Sequence, residues 1–334
     1  MEEMFASIED LLENEISIDC VGHRVVHGGE KFFKASVIDK EVTRGIEACV
    51  NLAPLHNPAN LKGIEIAMKK FKKCTHVAVF DTAFHQSIPE TAYIYLLPRK
   101  LYEECGVRKY GFHGSSHQYV AREAARILEL PMHNSSLITA HLGNGCSATA
   151  ILNGKSVDTT MGLTPLEGLV MGTRSGDVDP GLHEYLHNTL GWEIEEIHNM
   201  LNKESGLLGL SGLSSDIRTI TNAAKQWHRG ATLAVDVFAY HLTQAIVRLS
   251  VNFRRLDALV FTGGIGEHSA TIRSKTLRQL RILGFDLDRL RNRIDGKESQ
   301  GIITFKGVEP VAIVVPTNEQ MQIAWKCSDL LKSG

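Results

Sequence analysis

The sequence has no excess of charge of either sign, no closely paired cysteines and no long apolar run. Its 36 basic and 38 acidic residues leave a net charge of −2 over 334 residues, so the electrostatic footprint of a nucleic-acid binder is missing. The six cysteines, Cys20, Cys49, Cys74, Cys105, Cys146 and Cys327, are scattered and form no C-x-x-C pair. That spacing indicates neither a zinc site nor a disulfide framework, and it fits a reducing compartment. No apolar stretch approaches the roughly 20 residues of a membrane-spanning helix. The acidic start, MEEMFASIEDLLENE, has neither the basic nor the apolar region of a signal peptide. The expectation is a cytoplasmic enzyme with small bound ligands and no nucleic-acid or membrane partner. With 43% hydrophobic residues the chain is long enough for two ordinary domains.

Two familiar nucleotide signatures are also missing. Gly263-Gly264-Ile265-Gly266-Glu267 lies between an apolar run and a helical stretch, yet it lacks the third glycine of the dinucleotide fingerprint and the Gly-Lys-Ser/Thr of a P-loop. Neither a Rossmann dehydrogenase nor a P-loop kinase is supported. Phosphate handling is indicated elsewhere. The apolar run Leu137 to Leu142 stops at Gly143-Asn144-Gly145, a turn that permits positive φ and leaves backbone N–H groups free to face an anion. The strand resumes from Ser147 to Leu152 and turns again at Asn153-Gly154, so the segment reads as a hairpin. The next segment, TPLEGLVMGTRSGDVDPG, is rich in small residues and holds a single arginine, Arg174.

Short β-rich runs alternate with helical ones along the chain. Strands are expected at Ile16 to Val21, Val77 to Phe80, Ala258 to Phe261 and Val311 to Val315. Helices are expected near Val42 to Leu52, from Asn57-Pro58 as cap and first turn, and from His117 to Leu130. Further helices are expected near Gly181 to Leu190, Glu193 to Lys203, Ser215 to His228, Ala231 to Phe253 and Ser269 to Leu283, with a last one after Thr317-Asn318. This is an α/β pattern with no low-complexity linker.

Four constellations sit at the ends of apolar runs, where a sheet delivers side chains to its rim. They are GHRVVHGG (22–29), DTAFH (81–85), GFHGSSH (111–117) and PTNE (316–319). Arg24, between apolar strand residues, calls for an anionic ligand or an ordinary ion pair. Asp81 ends a strand and reads either as a carboxylate of a metal or nucleophile site or as a cap for the next turn. His113 and His117 have the i, i+4 spacing of a zinc pair, but Gly114 and two serines between them suit a loop entering a helix. His113 then reads as a donor at a pocket wall and His117 as structural.

Taken together and in order, GHRVVHGGE, NLAPLHNPAN, VAVFDTAFHQSIPE, KYGFHGSSH, AHLGNGCS, TPLEGLVMGTRSGD, FTGGIGEHS and VPTNEQ resemble the acetate kinase family, its propionate kinase members included. Butyrate kinases and sugar kinases fit less well. The resemblance implies a duplicated ribonuclease-H-like, actin-like ATPase fold, with an acyl domain formed by 1–83 plus 319–334 and a nucleotide-binding and dimerisation domain formed by 84–318. It implies a homodimer and reversible phosphoryl transfer from ATP to acetate, giving acetyl phosphate and ADP, with propionate as the alternative acceptor. It places Arg24 and Arg174 on the carboxylate and the transferring phosphoryl group, and makes His113 the transition-state donor. Asp81 and Glu319 become the acidic residues around a catalytic Mg²⁺ or Mn²⁺, with Glu319 as its ligand. Val26, Leu55, Phe112 and Pro165 match the small pocket for the acyl methyl, and His56 a position beside the substrate. His141, Leu142, Gly143, Asn144 and Gly145 match a phosphate loop; Asp216, Ile217, Arg218, Gly263, Gly264, Ile265 and Gly266 match the nucleotide pocket.

One departure stands out against the family pattern. Family members open with a strand and a tight turn carrying an Asn, two serines and a lysine, and this chain starts instead on a helical stretch. The first domain is therefore expected to be incomplete at its N-terminus, with sheet edges left open. The chain as written would be catalytically weak or inactive; a start codon assigned downstream of the true one accounts for it, and the alternative is a natural truncation, a nucleotide-binding or dimerising paralogue.

Overall fold

A computed structural model of the chain describes residues 18–54 and 56–333. The expected helical opening lies outside the described residues, as do Ile16 and Ser17 of the first expected strand and the pocket residue Leu55. The described chain forms two compact units, one holding residues up to 86, 112–115 and from 318 on, the other holding 87–111 and 116–317.

The first unit is built on a three-stranded sheet in the order β1-β3-β2. β1 (Cys20–Val25) runs parallel to β3 (Thr75–Phe80), with Arg24 opposite Val79, and β2 (Ser36–Val37) is antiparallel to β3. The strand expected at Ile16 to Val21 is thus displaced toward the C-terminus. Gly22, His23 and Arg24 are poor local strand formers, but pairing along the whole of β3 outweighs their propensity. β3 is an unbroken buried run from His76 to Phe80, as a parallel strand covered on both faces should be. On one face Val25 and Phe80 pack with Val42 and Ile46 of α1 (Lys40–Ala48) and Ile64 of α2 (Asn57–Lys70). On the other, Val77 and Val79 meet Ile323 and Cys327 of the C-terminal helix, Glu319–Ser333. α1 starts at Asp39, whose carboxylate accepts from Glu41 N and Val42 N at 2.8 Å, and it ends earlier than expected because Val50–Leu52 tightens into a 3₁₀ turn. Asn57 does not cap α2: the N-cap is His56, and the Asn57 side chain is turned inward.

The second unit holds a five-stranded sheet in the order β6-β5-β4-β7-β8. β4 (Ser136–Leu142) and β5 (Cys146–Leu152) form the expected hairpin, and β6 (Lys155–Thr159) follows through a turn in which Asn153 and Gly154 both have positive φ. β7 (Ala258–Thr262) and β8 (Val311–Val314) add to β4 in parallel, so Leu142, Thr262 and Val314 end at the same edge of the sheet. Val120 and Ala124 of α3 (Gly114–Ile127) pack on Val260 and Ile313. α4 (Ile217–Lys225) precedes α5 (Arg229–Ser250), whose buried residues Ala231, Ala234, Phe238, Leu242, Ile246 and Leu249 recur every three or four positions.

Two expectations in this unit are corrected. The helix expected over Glu193 to Lys203 is Ile194–Asn199 followed by a wider-wound turn, and a separate helix, Gly206–Ser211, comes after it. Gly263 to Gly266 is no open turn but the start of α6 (Gly263–His268), because Gly263 at φ +75° lets the chain bend straight out of β7 into a helix. Ser269 then caps α7 (Ala270–Gln279). Among the described residues, no helix is long and apolar enough to cross a membrane.

Candidate active site

In the first unit the site is organised by Arg24. β1 carries it to the end of β3, where Asp81 N donates to Val25 O at 2.9 Å and fixes the carboxylate beside the guanidinium. Arg24 Nε donates to both Asp81 oxygens at 3.1 Å, Nη2 donates to Oδ2 at 2.6 Å, and Glu319 Oε2 lies 3.4 Å from Nε. The ion-pair reading of Arg24 therefore holds, with Asp81 as its partner. The Asp81 side chain is 2% exposed and that of Arg24 45%, so the guanidinium keeps an open side toward solvent while its acid partner does not. Asp81 raises the arginine well above its usual value, against the opposing effect of burial. Burial and the Asp81 charge push the Glu319 carboxyl up, and Arg24 draws it back.

Asp81 O accepts from Gly114 N at 3.0 Å, and a Cβ on Gly114 would overlap that carbonyl. His113, immediately before it, has φ +57°, an uncommon conformation for a non-glycine residue and one enriched at functional sites. The neighbouring Phe112 is 2% exposed, its carbonyl accepts from His85 Nε2 at 2.9 Å, and its ring meets His27 edge-on. Val26 N donates to Asn60 Oδ1 at 3.0 Å. Asn57, wholly buried, accepts from His27 N at 3.2 Å and donates to His27 O at 3.0 Å and Ile46 O at 3.2 Å, so it locks the chain just after Val26. His56 stands at the N-terminus of α2.

In the second unit the two glycine segments leave adjacent parallel strands side by side. β4 ends at Leu142, β7 at Thr262, and a Cβ on Gly263 would lie 2.8 Å from Leu142 O. The hairpin turn is closed by Gly143 N donating to Gly145 O at 3.0 Å, and Asn144 O accepts from Gly172 N at 2.9 Å. His141 Nδ1 is 2.8 Å from Ser116 Oγ, which is also 2.8 Å from Thr317 Oγ1. Glu267 accepts from Gly263 N at 3.0 Å and Thr317 N at 3.2 Å, tying the ends of β7 and β8 together. Leu142, Ile217 and Ile265 have buried side chains, whereas Gly264 has open space where a Cβ would stand. Asp216 caps α4 by accepting from Arg218 N at 2.9 Å and pairs with the exposed Arg218 guanidinium at 2.8 Å. Those hydrogen bonds lower its carboxyl. His117 is structural, as expected: its ring nitrogens meet Thr139 Oγ1 at 2.7 Å and Ser147 Oγ at 2.8 Å.

Arg174 donates from Nη1 to Pro165 O, and among the described residues no carboxylate pairs with it. Burial pulls its guanidinium below the usual value. A half-buried guanidinium without an acid partner among the described residues keeps its charge available for an anion.

The whole sequence from residue 1 to 325 matches the model of the acetokinase family. The chain belongs to that family. It is a kinase, a phosphotransferase whose acceptor is a carboxyl group. Curated relatives named acetate kinase include one from Ectopseudomonas mendocina (strain ymp), 60% identical over 304 residues covering 91% of this chain and 77% of the relative. Another, from Stutzerimonas stutzeri (strain A1501), is 56% identical over 307 residues covering 92% and 78%. Among solved structures, a propionate kinase from Francisella tularensis superposes with TM-score 0.90 at 45% identity, over 98% of this chain and 82% of that one. The acetate kinase of Porphyromonas gingivalis superposes with TM-score 0.92 at 42% identity, over 98% and 84%. The two α/β sheets thus form the actin-like ATPase fold of the acetokinase family.

The acetokinase motifs pointed to most of these residues but not to how they are held. Asn57, Ser116, Glu267 and Thr317 all stand inside the motifs, but the motifs do not reveal which groups they hold, since most of those partners are distant in sequence.

Proposed function

We propose that the chain catalyses reversible transfer of the γ-phosphoryl group of ATP to acetate, giving acetyl phosphate and ADP, as a cytoplasmic homodimer. The observation that carries this reading is the Arg24–Asp81 pair, in which a buried carboxylate holds a guanidinium whose other side stays open for an anion. An acetate carboxylate is already a nucleophile at neutral pH, so the site needs no strong base; positioning and charge neutralisation suffice. One carboxylate oxygen forms the new bond to phosphorus while the bond from phosphorus to the β–γ bridging oxygen breaks, and ADP leaves with that electron pair. Arg24 orients the acetate carboxylate. Arg174 and His113 donate to the phosphoryl oxygens as their charge redistributes. The acyl methyl is assigned to Val26, Leu55, Phe112 and Pro165, with His56, because these residues match the family's acyl positions.

The hard-oxygen pair Asp81 and Glu319 suits a divalent cation, which commonly uses one or two protein carboxylates together with substrate phosphates. Burial raises Glu319 and the Asp81 charge adds to it; a cation held between the two carboxylates would offset both effects. Mg²⁺ or Mn²⁺, held there by Glu319 with Asp81, would neutralise phosphate charge. In the second unit, the loop 141–145 takes the phosphates, with the Gly143 N–H kept for closing the turn on Gly145 O, and Asp216, Ile217, Arg218 and 263–266 hold the nucleoside. Leu233, Tyr240 and Val247, exposed on α5, with Val251 just after it, offer apolar surface for the dimer.

The test is hydroxamate trapping of acetyl phosphate from ATP, Mg²⁺ and acetate, repeated with propionate. Acyl hydroxamate dependent on all components is the expected result, with acetate preferred. ADP binding without any acyl phosphate would overturn the catalytic reading. Arg174→Ala should cost about 10²- to 10³-fold in kcat, the usual loss when one charge-stabilising donor is removed.

A further inference from the structure

The segment from Thr160 to Gly176 contains no helix or strand, yet it carries both Pro165 and Arg174. Hydrogen bonds hold it along its length, and within 163–167 one side-chain hydroxyl bridges two of its groups. Tyr95 Oη accepts from Leu163 N at 2.8 Å and donates to the Glu167 carboxylate. It therefore joins the two ends of the turn 163–167, whose middle residue is Pro165. The Pro165 carbonyl in turn accepts from Arg174 Nη1.

The surroundings leave this arrangement little freedom. Gly162 packs so closely that an added Cβ would overlap both Glu167 Oε2 and Tyr95 Oη. Before the turn, Gly162 O accepts from Tyr110 N at 3.1 Å and Gly111 N at 3.2 Å. After it, Gly168 N donates to Asp177 Oδ1 at 2.6 Å and Gly168 O accepts from Asp177 N at 3.0 Å. With both flanks anchored to backbone, the hydroxyl bridge sets the height of Pro165 O. Burial and the Glu167 charge push the Tyr95 phenol far up, so it stays protonated and donates. Burial likewise raises Glu167, with Tyr95, Lys109 and Arg248 drawing it down and Asp177 adding to the rise.

We propose that Tyr95 and Glu167 are positioning residues for the reaction: they close the 163–167 turn, and the turn's central carbonyl orients the Arg174 guanidinium toward the phosphoryl group. This rests on the role of Arg174 given above. Neither residue touches the reacting atoms; both act through Arg174.

A double-mutant cycle separates this from a merely structural role. Tyr95→Phe removes only the hydroxyl and should lower kcat about tenfold while the KM for ATP stays within about twofold. Added to Arg174→Ala, the same change should cost less than about twofold, because the group it positions is gone. Glu167→Gln, close in size and shape, should repeat both results and replaces Tyr95→Phe if that variant melts far below the wild type. A tenfold loss that persists in the Arg174→Ala background overturns the proposal and leaves the role of Arg174 standing. A loss confined to KM for ATP also overturns it, since it would place Tyr95 in nucleotide binding. Near wild-type turnover of Arg174→Ala itself overturns both.

Discussion

Arg24 and Asp81 occupy the ends of two neighbouring parallel strands, and three hydrogen bonds of 2.6 to 3.1 Å join the guanidinium of one to the carboxylate of the other. Removing either partner does different damage. Arg24→Ala leaves Asp81 buried and unpaired, so both turnover and stability should fall: kcat/KM for acetate by about 10²- to 10³-fold, and the unfolding midpoint in urea measurably. Asp81→Asn removes the buried charge along with its pair, so it should lose comparable activity with a smaller shift in midpoint. Steady-state kinetics beside urea titration distinguish the two.

Gly172 presses against Asn144, which the proposed function places in the phosphate loop, and a Cβ there would overlap Asn144 Oδ1. Gly172→Ala is expected to turn the Asn144 side chain aside, lowering kcat/KM for ATP by about tenfold, the scale of one lost hydrogen bond to a charged group. The acetate KM should change little. Varying each substrate in turn checks this.

Asn57 spends its side chain on three backbone groups of His27 and Ile46 and lies at 0% exposure. Asn57→Leu leaves those groups without partners, a loss of about 1–3 kcal/mol for each one stranded in the interior. Chemical denaturation should show a clear destabilisation. A stability equal to wild type would mean that the backbone finds other partners.

His27 provides a pH dependence whose direction is set by burial. Its Nδ1 accepts from Gly29 N at 3.0 Å, and burial lowers its pKa from 6.5 to about 4. The folded chain therefore binds fewer protons at this position than the unfolded chain between those values. Stability from His27 is complete above pH 6.5 and is lost as pH falls toward 4. A melting temperature that declines over this range should decline less in His27→Gln, which cannot titrate.

Local chemistry made parts of this molecule legible. Asn153-Gly154 and Gly143-Asn144-Gly145 announce turns because their need for positive φ or an open backbone is met by the residues themselves. The stripe of α5 announces a buried face by its spacing alone. The first strand was misplaced because Gly22 and Arg24 argue locally against it, and only β3, some fifty residues later, overrides them. The Tyr95–Glu167 bridge was invisible for the same reason: its partners are 72 positions apart, and Tyr95 lies outside every motif while Glu167 lies in one that does not name its partner.

By itself, then, the sequence determined the family, the α/β alternation and the identity of the chemical groups, since motifs record which residue types a reaction requires. Tertiary structure alone decided how those groups are held. Only the folded chain buries Asp81 against Arg24, turns Asn57 inward and leaves Arg174 with a carbonyl rather than a carboxylate for company. The reason is physical: hydrogen bonds and burial depend on distance in space, and a sequence states only distance along the chain.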